Sequence, residues 1–537
     1  MHLRSIPAKR AIRSVSCSWR CPTGQRTRLV LACAGLLVVA ACDPGPMERI
    51  AAPDVPTDWR TLSASAQPVW PGDAWWKGFH SPDLDQLIAE AEANNFTIAA
   101  AVARIRQADA QLRIAGAPLL PSVGSTANGS WQQAKRTSFS FGNSTGQNIG
   151  QQTVGQQTVV QQTGGGQPYV NLHNYNVGLN ASYEFDFWGK IQSQQQAAAD
   201  TALFSRFDRD TVALGVVTST ANTWFTALGA NDRVRVAESN LAASGKVLEA
   251  FQVRVQVGTA TALDVSQQAA LVAGIRASIP ALRSQRDQAV NGLGILTGNA
   301  PVAVTVRPGT LDTLALPPLV PGLPMDLLAR RPDVAAAEAQ LAAAGANVAA
   351  ARAAFFPTAQ LSLSGTFQSA AIGSLFGPGA ALASLAGSLA QPIFDGGTLR
   401  GQLEQTKGRQ DELLAQYRSA ILQAFTDVDN ALTAYQYATD QENLQRQTVA
   451  IAQRSADIAS AQQIAGTVDI LTVLNLQTTL FNAQDNLVQA RLARVQALLS
   501  LYKALGGGWA GADTTPPVLV PGRLEGGVAL PVGGNLR

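Results

Sequence analysis

The chain has 537 residues, of which 14% are charged, against about 25% in average soluble domains. Residues 1–41 hold seven Lys and Arg and no Asp or Glu, so the formal charge of +3 becomes −4 for the remainder. Phosphate binding needs clustered positive charge. We therefore expect no nucleic-acid partner.

Cysteine and histidine are scarce. All four cysteines lie within the first 42 residues, and the three histidines are His2, His80 and His173. After Cys42 the chain has no thiol for a disulfide, a metal site or a nucleophile. Two distant histidines cannot build a metal centre or a catalytic triad within one chain. We expect no enzyme activity, no metal and no cofactor.

The N-terminus has the pattern of an export signal. Arg26 and Arg28 precede an apolar run at 29–41, which suits a signal-peptide core and is too short to span a membrane as a helix. The run ends in Val39-Ala40-Ala41-Cys42, which resembles the lipobox of bacterial lipoproteins. We predict a signal peptide over 1–41 and acylation of Cys42; an ordinary buried cysteine is the alternative.

The body of the chain is one unit repeated twice. Residues 119–123 (LLPSV) return as 355–359 (FFPTA), 236 residues later. Glycines return 208 residues later: Gly189, Gly258 and Gly298 match Gly397, Gly466 and Gly506. The first copy therefore carries 28 extra residues, in a Gln- and Gly-rich stretch that we predict to be a surface loop over about 133–168.

Each copy predicts a helix, two strands separated by a loop, and two long helices joined by a tight glycine turn. The copies occupy 81–300 and 325–508, with an N-terminal equatorial segment at 42–80. A Pro-rich linker at 301–324 joins them, and the tail at 509–537 is predicted to be irregular.

The strands alternate between apolar and polar residues over the length of a membrane-crossing strand. This pattern favours a transmembrane β-barrel whose polar face lines a wet lumen; the edge of a soluble β-sandwich is the alternative. The predicted lumen-facing residues are Asn174, Asn176, Asn180, Ser182, Glu184, Gln360, Ser362 and Ser364.

The helices favour the barrel. Residues 191–257 contain no proline, so one helix there would run on the order of 100 Å. Ten positions from 471 to 502 in 3-4 spacing include eight apolar residues, which is a coiled-coil seam. Pro280 lies in the matching helix of the first copy and should kink it.

Four strands cannot close a barrel, and unpaired strand edges are not tolerated in lipid. Three copies supply twelve strands, an even number within the known range. We therefore predict a mixed α and β membrane protein that forms a homotrimer. Its twelve-stranded β-barrel would lie in outer membrane lipid, and its coiled-coil helices would continue the wall as an α-helical barrel into the periplasm.

Several motifs resemble those of the TolC-like outer membrane factors, in particular the lipoprotein branch that includes OprM and NodT. They are Trp75-Trp76 before Phe79, the 84–95 segment, Arg330-Arg331-Pro332-Asp333-Val334 with Glu338, Phe355-Phe356-Pro357, Phe394-Asp395-Gly396-Gly397, and the Gly258-Thr259 and Gly466-Thr467 turns.

The resemblance implies the outer membrane channel of a tripartite efflux system, a passive duct for drugs or other amphiphiles. Its implied partners are a periplasmic adaptor and an inner-membrane resistance-nodulation-division pump, or an ABC exporter. Alternatives are a type I secretion channel and a coiled-coil structural lipoprotein.

The resemblance also implies that the two glycine turns form the periplasmic tip and gate. Asp264 occupies the position of a gating aspartate, whereas its basic partner falls on Val468 and the acidic-ring positions fall on Thr472 and Asn475. Asp469 would supply acidity instead; ordinary charge at a helix start is the alternative for both aspartates. The predicted tip residues are Gly258, Asp264, Gly466, Thr467, Val468, Asp469, Thr472 and Asn475.

Replacing Cys42 with serine should abolish acylation and leave a trimer in the outer membrane, because the strands hold the protein there. Mass spectrometry of the N-terminus and membrane fractionation check both points. A variant found fully soluble in the periplasm would contradict the barrel prediction.

Overall fold

The computed structural model of the protein describes residue 59 and residues 69–135, 169–307, 309–318 and 324–509. The predicted signal peptide, Cys42, most of the predicted loop and nearly all of the tail lie outside these residues. The helices are α1 (Pro82–Asn94), α2 (Phe96–Gly116), α3 (Lys190–Gln256), α4 (Ala262–Thr297), α5 (Pro324–Leu328), α6 (Pro332–Ala353), α7 (Thr398–Ile464) and α8 (Ile470–Ala504). The strands are β1 (Ser122–Lys135), β2 (Tyr169–Phe185), β3 (Thr358–Ser369) and β4 (Ala381–Ala390).

The duplication is visible in the lengths of the long helices. Helices α3 and α7 each have 67 residues, which is about 100 Å, and they begin 208 residues apart. Each follows a glycine in the left-handed conformation, Gly189 with φ 71° and Gly397 with φ 89°, which side chains with a Cβ rarely adopt. We call the α3–α4 pair hairpin 1 and the α7–α8 pair hairpin 2.

The first helices of the two copies are less alike than the prolines suggest. Pro82 and Pro332 both start helices, as predicted, but the 236-residue offset pairs Pro332 with Phe96, the first residue of α2. Helix α2 starts without a proline because the side chain of Asn95 accepts hydrogen bonds from the first free amides. The same offset places α5 (Pro324–Leu328) on residues 88–92, within α1, so the first copy has a longer version of this helix.

The four strands form one antiparallel sheet in the order β1-β2-β3-β4. Strands β1 and β4 are its edges, and neither has a second strand partner among the described residues. None of the helices in the described part of the chain is both long and apolar enough for a membrane crossing.

The predicted seam of α8 does not face α7. Its members pack on hairpin 1 instead: Phe481 contacts a cluster around Val234 and Ile279, and Val495 and Tyr502 join the core around α3. Helix α7 is met by the adjacent row of α8, including Leu480. Helix α8 has two neighbouring helices, and a single apolar stripe in the sequence does not indicate which of them it faces.

Helix α4 continues through Pro280. The prolyl ring leaves the carbonyl four residues earlier without an amide donor. That carbonyl belongs to Arg276.

The segment between the repeats is bound to both hairpins at residues 309–312, which we call the strap. Asp232 of α3 is buried, and its carboxylate accepts from the Leu311 amide at 2.9 Å and from the Thr310 hydroxyl at 3.1 Å. Asp312 forms an ion pair with Arg491 of α8 at 2.8 Å. The strap therefore joins hairpin 1 to hairpin 2 at a point 24 residues before the end of α3.

A buried carboxylate on α7 lies beside the strap. Glu442 is paired with Arg446 at 2.7 Å and Arg494 at 3.0 Å, and Arg491 lies at 3.6 Å. Burial by itself would raise the pKa of Glu442, but the hydrogen bonds and charges of Arg494 and Arg446 outweigh burial and hold the pKa below its ordinary value of 4.5. The carboxylate is therefore ionised at neutral pH and holds three cations of α7 and α8 together.

Replacing Glu442 with glutamine should lower the thermal unfolding midpoint, because the arginines would keep their charge without a carboxylate. Removing one partner of a buried ion pair costs on the order of 3 kcal/mol. Melting curves followed by circular dichroism measure the change. Glu404→Gln, at an exposed position of the same helix, is the matched control and should leave the midpoint unaltered.

The contribution of Glu442 to the thermal unfolding midpoint should depend on pH. Since the folded-state pKa of Glu442 lies below 4.5, its stabilisation is complete above that pH and is lost as the pH falls through the folded-state value. Between about pH 5 and pH 3 the wild-type midpoint should fall more steeply than that of Glu442→Gln. Parallel curves would show that another group controls the acid sensitivity.

Candidate functional site

The strand register brings the predicted lumen residues onto one face of the sheet. Ser182 lies opposite Ser122 and Ser362, and Ser364 lies opposite Asn180 and Ser384. The hydroxyls of two such pairs, Ser122–Ser182 and Ser364–Ser384, are 2.7 Å apart. The remaining predicted residues share this face: Asn174, Asn176, Glu184 and Gln360.

The opposite face of the sheet is apolar and exposed. Leu179, Leu363 and Leu385 are 62%, 54% and 70% exposed, respectively, although Leu363 lies directly opposite Leu385 in the register. A contiguous apolar patch of this kind needs a covering phase or partner. The sheet therefore separates a hydrogen-bonding side from a side suited to lipid.

Aromatic rings gather where the strands meet the long helices. Trp188 stacks on Phe356 with ring centroids 4.7 Å apart, and its indole N–H donates to the Pro357 carbonyl at 2.8 Å. Phe185 stacks on Phe187 at 5.6 Å. Aromatic side chains with one polar end are suited to a boundary between apolar and wet surroundings.

The polar face carries one charged residue among the described positions, and that residue is paired. Glu184, the last polar residue of β2, accepts a hydrogen bond from Lys190 Nζ at 2.8 Å. Elsewhere the described positions of this face are mainly hydroxyls, amides and small residues, and Leu382, opposite Thr366, is an apolar exception. A surface of this kind hydrogen-bonds solutes without selecting them by charge.

The two turns at the far ends of the hairpins have the same geometry. Gly258 and Gly466 both have φ 76°. The Thr259 amide donates to the Arg254 carbonyl at 2.8 Å, and the Thr467 amide donates to the Gln462 carbonyl at 3.0 Å. Helices α3 and α7 therefore both end in a left-handed glycine cap. The same backbone hydrogen bond closes the turn in each repeat.

The aspartates after these turns both cap helix starts. In hairpin 1, Thr261 Oγ1 accepts from the Asp264 amide at 3.2 Å, and Asp264 Oδ2 accepts from the Thr261 amide at 2.8 Å. In hairpin 2 the residue types are exchanged: Asp469 is the N-cap and accepts from the Thr472 amide at 3.1 Å. Both carboxylates thus bind their own helix start, the geometry expected of the capping alternative.

The Asp469 carboxylate is also bound by the Thr472 hydroxyl. The hydrogen bonds from the hydroxyl and the amide of Thr472 lower the pKa of Asp469. Asp469 is therefore charged at neutral pH. Of the other predicted tip residues, Val468 is half-buried and Asn475 is exposed.

A polar contact between the hairpins near the tip escaped the sequence interpretation. Arg254 Nη1 donates to Gln463 Oε1 at 3.2 Å. The sequence could have pointed to Arg254 only by its position, because it is the basic residue nearest to either glycine turn. Its partner could not be found from the sequence, because Gln463 is one of many glutamines in the chain.

Solved channels share this fold. The open-state MtrE outer membrane channel of Neisseria gonorrhoeae matches with a TM-score of 0.74 and 27% identity, covering 86% of this chain and 98% of that one. The outer-membrane channel OprN matches with a TM-score of 0.76 and 26% identity, covering 87% and 100%. The fold is therefore that of the TolC-like outer membrane channels.

Proteins similar to this chain in sequence are also outer membrane proteins of export or efflux systems. The pyoverdine export outer membrane protein OpmQ of Pseudomonas aeruginosa is 39% identical over 90% of this chain and 96% of its own length. The probable efflux pump outer membrane protein TtgC of Pseudomonas putida is 32% identical over 84% and 88%. The family model described as outer membrane efflux protein matches residues 87–299 and 323–507.

The chain belongs to the outer membrane efflux protein family. The resemblance inferred from its motifs is thereby confirmed, and so is the function: the protein is the outer membrane channel component of an efflux system. Family members work with periplasmic adaptors and inner-membrane pumps.

Variants of Asp469 separate a cap from a charged gate. Asparagine keeps the N-cap hydrogen bond without the charge, whereas alanine loses both. In planar bilayers we expect Asp469→Asn to have the conductance of the wild type. We expect the conductance of Asp469→Ala to fluctuate, because the first turn of α8 frays. Hydrogen exchange at residues 470–473 reports the fraying directly. If Asn and Ala alter conductance equally, the charge itself acts in the gate.

Proposed function

We propose that three copies of this chain form one continuous duct, with a twelve-stranded β-barrel in the outer membrane and an α-helical barrel in the periplasm. The observation that carries the proposal is the open sheet, with two unpaired edges, one polar face and one exposed apolar face. Pairing β4 of each copy with β1 of the next would satisfy every edge. It would also turn the apolar face to lipid and the polar face to the lumen.

The internal repeat indicates where the copies meet on the short helices. Helix α6 packs on α3 through Ala336 and Ala339, which contact Phe207. Their counterparts on α2, Ala100 and Ala103, are exposed. If the contact between repeats continues between copies, α2 receives α7 of a neighbour as α6 receives α3.

The long helices present matching surfaces. Helix α7 has a stripe of large exposed residues seven positions apart: Tyr437, Leu444, Ile451 and Ile458. Helix α4 has a stripe of exposed small residues: Ser266, Ala270, Ala273, Ala277 and Ser284. Within one chain, α3 and α8 hold the equivalent positions and pack together. We infer that α7 of one copy packs on α4 of the next in the same way.

The near-neutral polar face supports a duct that does not choose its solutes. We propose that it passes drugs or other small amphiphiles, delivered by a resistance-nodulation-division pump through a periplasmic adaptor. Relatives named for pyoverdine export, toluene efflux and cation efflux support a channel whose selectivity is set upstream. We further propose that acylated Cys42 anchors the protein beside its barrel.

Cysteine pairs test the proposed contact between copies. The Cβ position of Gly229 lies 3.6 Å from Leu492 Cβ, a separation suited to a disulfide. The repeat-equivalent positions are Tyr437 and Ser284. We expect Tyr437→Cys/Ser284→Cys to form bonds between chains, giving dimer and trimer bands on non-reducing gels.

The matched control is Gly229→Cys/Leu492→Cys, which should cross-link within one chain and run as a monomer. Neither pair meets a competing thiol after Cys42, because the remainder of the chain has no cysteine. A monomer band from the Tyr437–Ser284 pair, beside a cross-linked control, would contradict the interface.

Conductance tests the duct itself. We expect the purified protein to have the mass of a trimer in detergent and to show discrete channel openings in planar bilayers. A monomer without conductance would favour the structural lipoprotein instead.

A further inference from the structure

The repeat makes the two hairpins directly comparable, and their cores differ at one layer. In hairpin 2, Ala452 of α7 and Leu476 of α8 belong to one apolar cluster. The equivalent residues of hairpin 1 are Ser244 of α3 and Gln268 of α4, and both are buried. At these two positions hairpin 1 is polar and hairpin 2 is apolar. Among the described residues, buried Oε1 atoms without a hydrogen-bond partner occur at Gln267 and Gln268 of α4 and at Gln477 of α8, so α4 has two and α8 has one.

This polar layer is only partly satisfied. Gln268 is completely buried, and its Nε2 donates to the Ser244 carbonyl at 2.9 Å. Its Oε1 is also buried and has no hydrogen-bond partner among the described residues. A buried carbonyl without a donor destabilises the packed state relative to an open one in which water reaches it.

A second difference lies on the same helix. Pro280 leaves the Arg276 carbonyl without an amide donor, whereas the residue equivalent to Pro280 in α8 is Val488, which is buried. The two features bracket residues 268–280. The tip-proximal half of α4 therefore lacks a side-chain hydrogen bond at Gln268 and a backbone hydrogen bond at Arg276.

We propose that residues 262–279 are a compliant segment, which opens locally more readily than the equivalent residues 470–487 of hairpin 2. The Ser244–Gln268 layer sets how often the segment opens, and the Thr261–Asp264 cap limits fraying from its end. This inference concerns local stability within one chain and does not depend on the trimer or on conductance.

Hydrogen exchange with mass spectrometry on the full-length protein in detergent tests it. Amides of 264–279 should exchange about tenfold faster than those of 472–487 in the wild type. Ser244→Ala/Gln268→Leu copies the hairpin 2 residues into hairpin 1, and it should slow exchange at 264–279 by about tenfold. Equal wild-type rates, or an unchanged rate in the double variant, would overturn the proposal.

The reverse exchange provides the matched control and does not depend on whether the first variant folds. Ala452→Ser/Leu476→Gln introduces the polar layer into hairpin 2 and should speed exchange at 472–487 by about tenfold, leaving 264–279 unaltered. If this variant exchanges like the wild type, the polar layer does not control opening. Pro280→Ala, measured alongside, should slow exchange only around 276–280.

Discussion

The structure depends on the pairing of backbone amides and carbonyls at the edges of its sheet. In lipid no water is available to bind them, so a four-stranded sheet in a membrane requires further strands. Strands β1 and β4 carry this requirement. Because β2 and β4 each continue into a helix of about 100 Å, an arrangement that closes the sheet would also determine which helices become neighbours. The interfaces that we propose for α2, α4 and α7 follow from that one requirement.

Duplication explains why the edges are complementary. Each repeat supplies two strands and one long hairpin, so the contact between repeats inside the chain is a template for the contact between chains. The template is inexact. Where α3 has Ala243 and Ala250, α7 has Ile451 and Ile458, so side-chain size is exchanged across the two kinds of interface. In the proposed trimer, this difference would let one copy distinguish its own second repeat from that of a neighbour.

Much of the architecture could be predicted from the sequence, because its signals are local or periodic. The glycines at 189, 258, 397 and 466 mark the ends of helices through a backbone conformation that other residues avoid. Alternation along β2 and β3 defined the polar face, and the register agrees. These features need no knowledge of which segments meet in space.

The features that the sequence did not predict depend on which segments meet in space. The apolar stripe of α8 did not indicate that α3 is its partner, because residues of this contact such as Val234 and Phe481 are far apart in the sequence. The strap could not be predicted from the sequence, because Asp232 and Leu311 are joined by one hydrogen bond, from the Leu311 amide to the Asp232 carboxylate. One such bond leaves no periodic pattern in the sequence. The exchange of Thr261 and Asp264 for Asp469 and Thr472 could not be recognised as an exchange of caps from the sequence, because the capping hydrogen bonds are seen only in the structure.

The strap has a mechanical consequence. It clamps hairpin 1 to hairpin 2 at Asp232 and Arg491, and 24 residues of α3 continue beyond Asp232 to the tip, a distance of roughly 36 Å. A clamp in the middle of a long rod acts as a fulcrum. A tilt of about 5° there would displace the free end by about 3 Å over this length, the width of a water molecule. A small change at the strap would therefore be multiplied by leverage before it reaches the Gly258 turn.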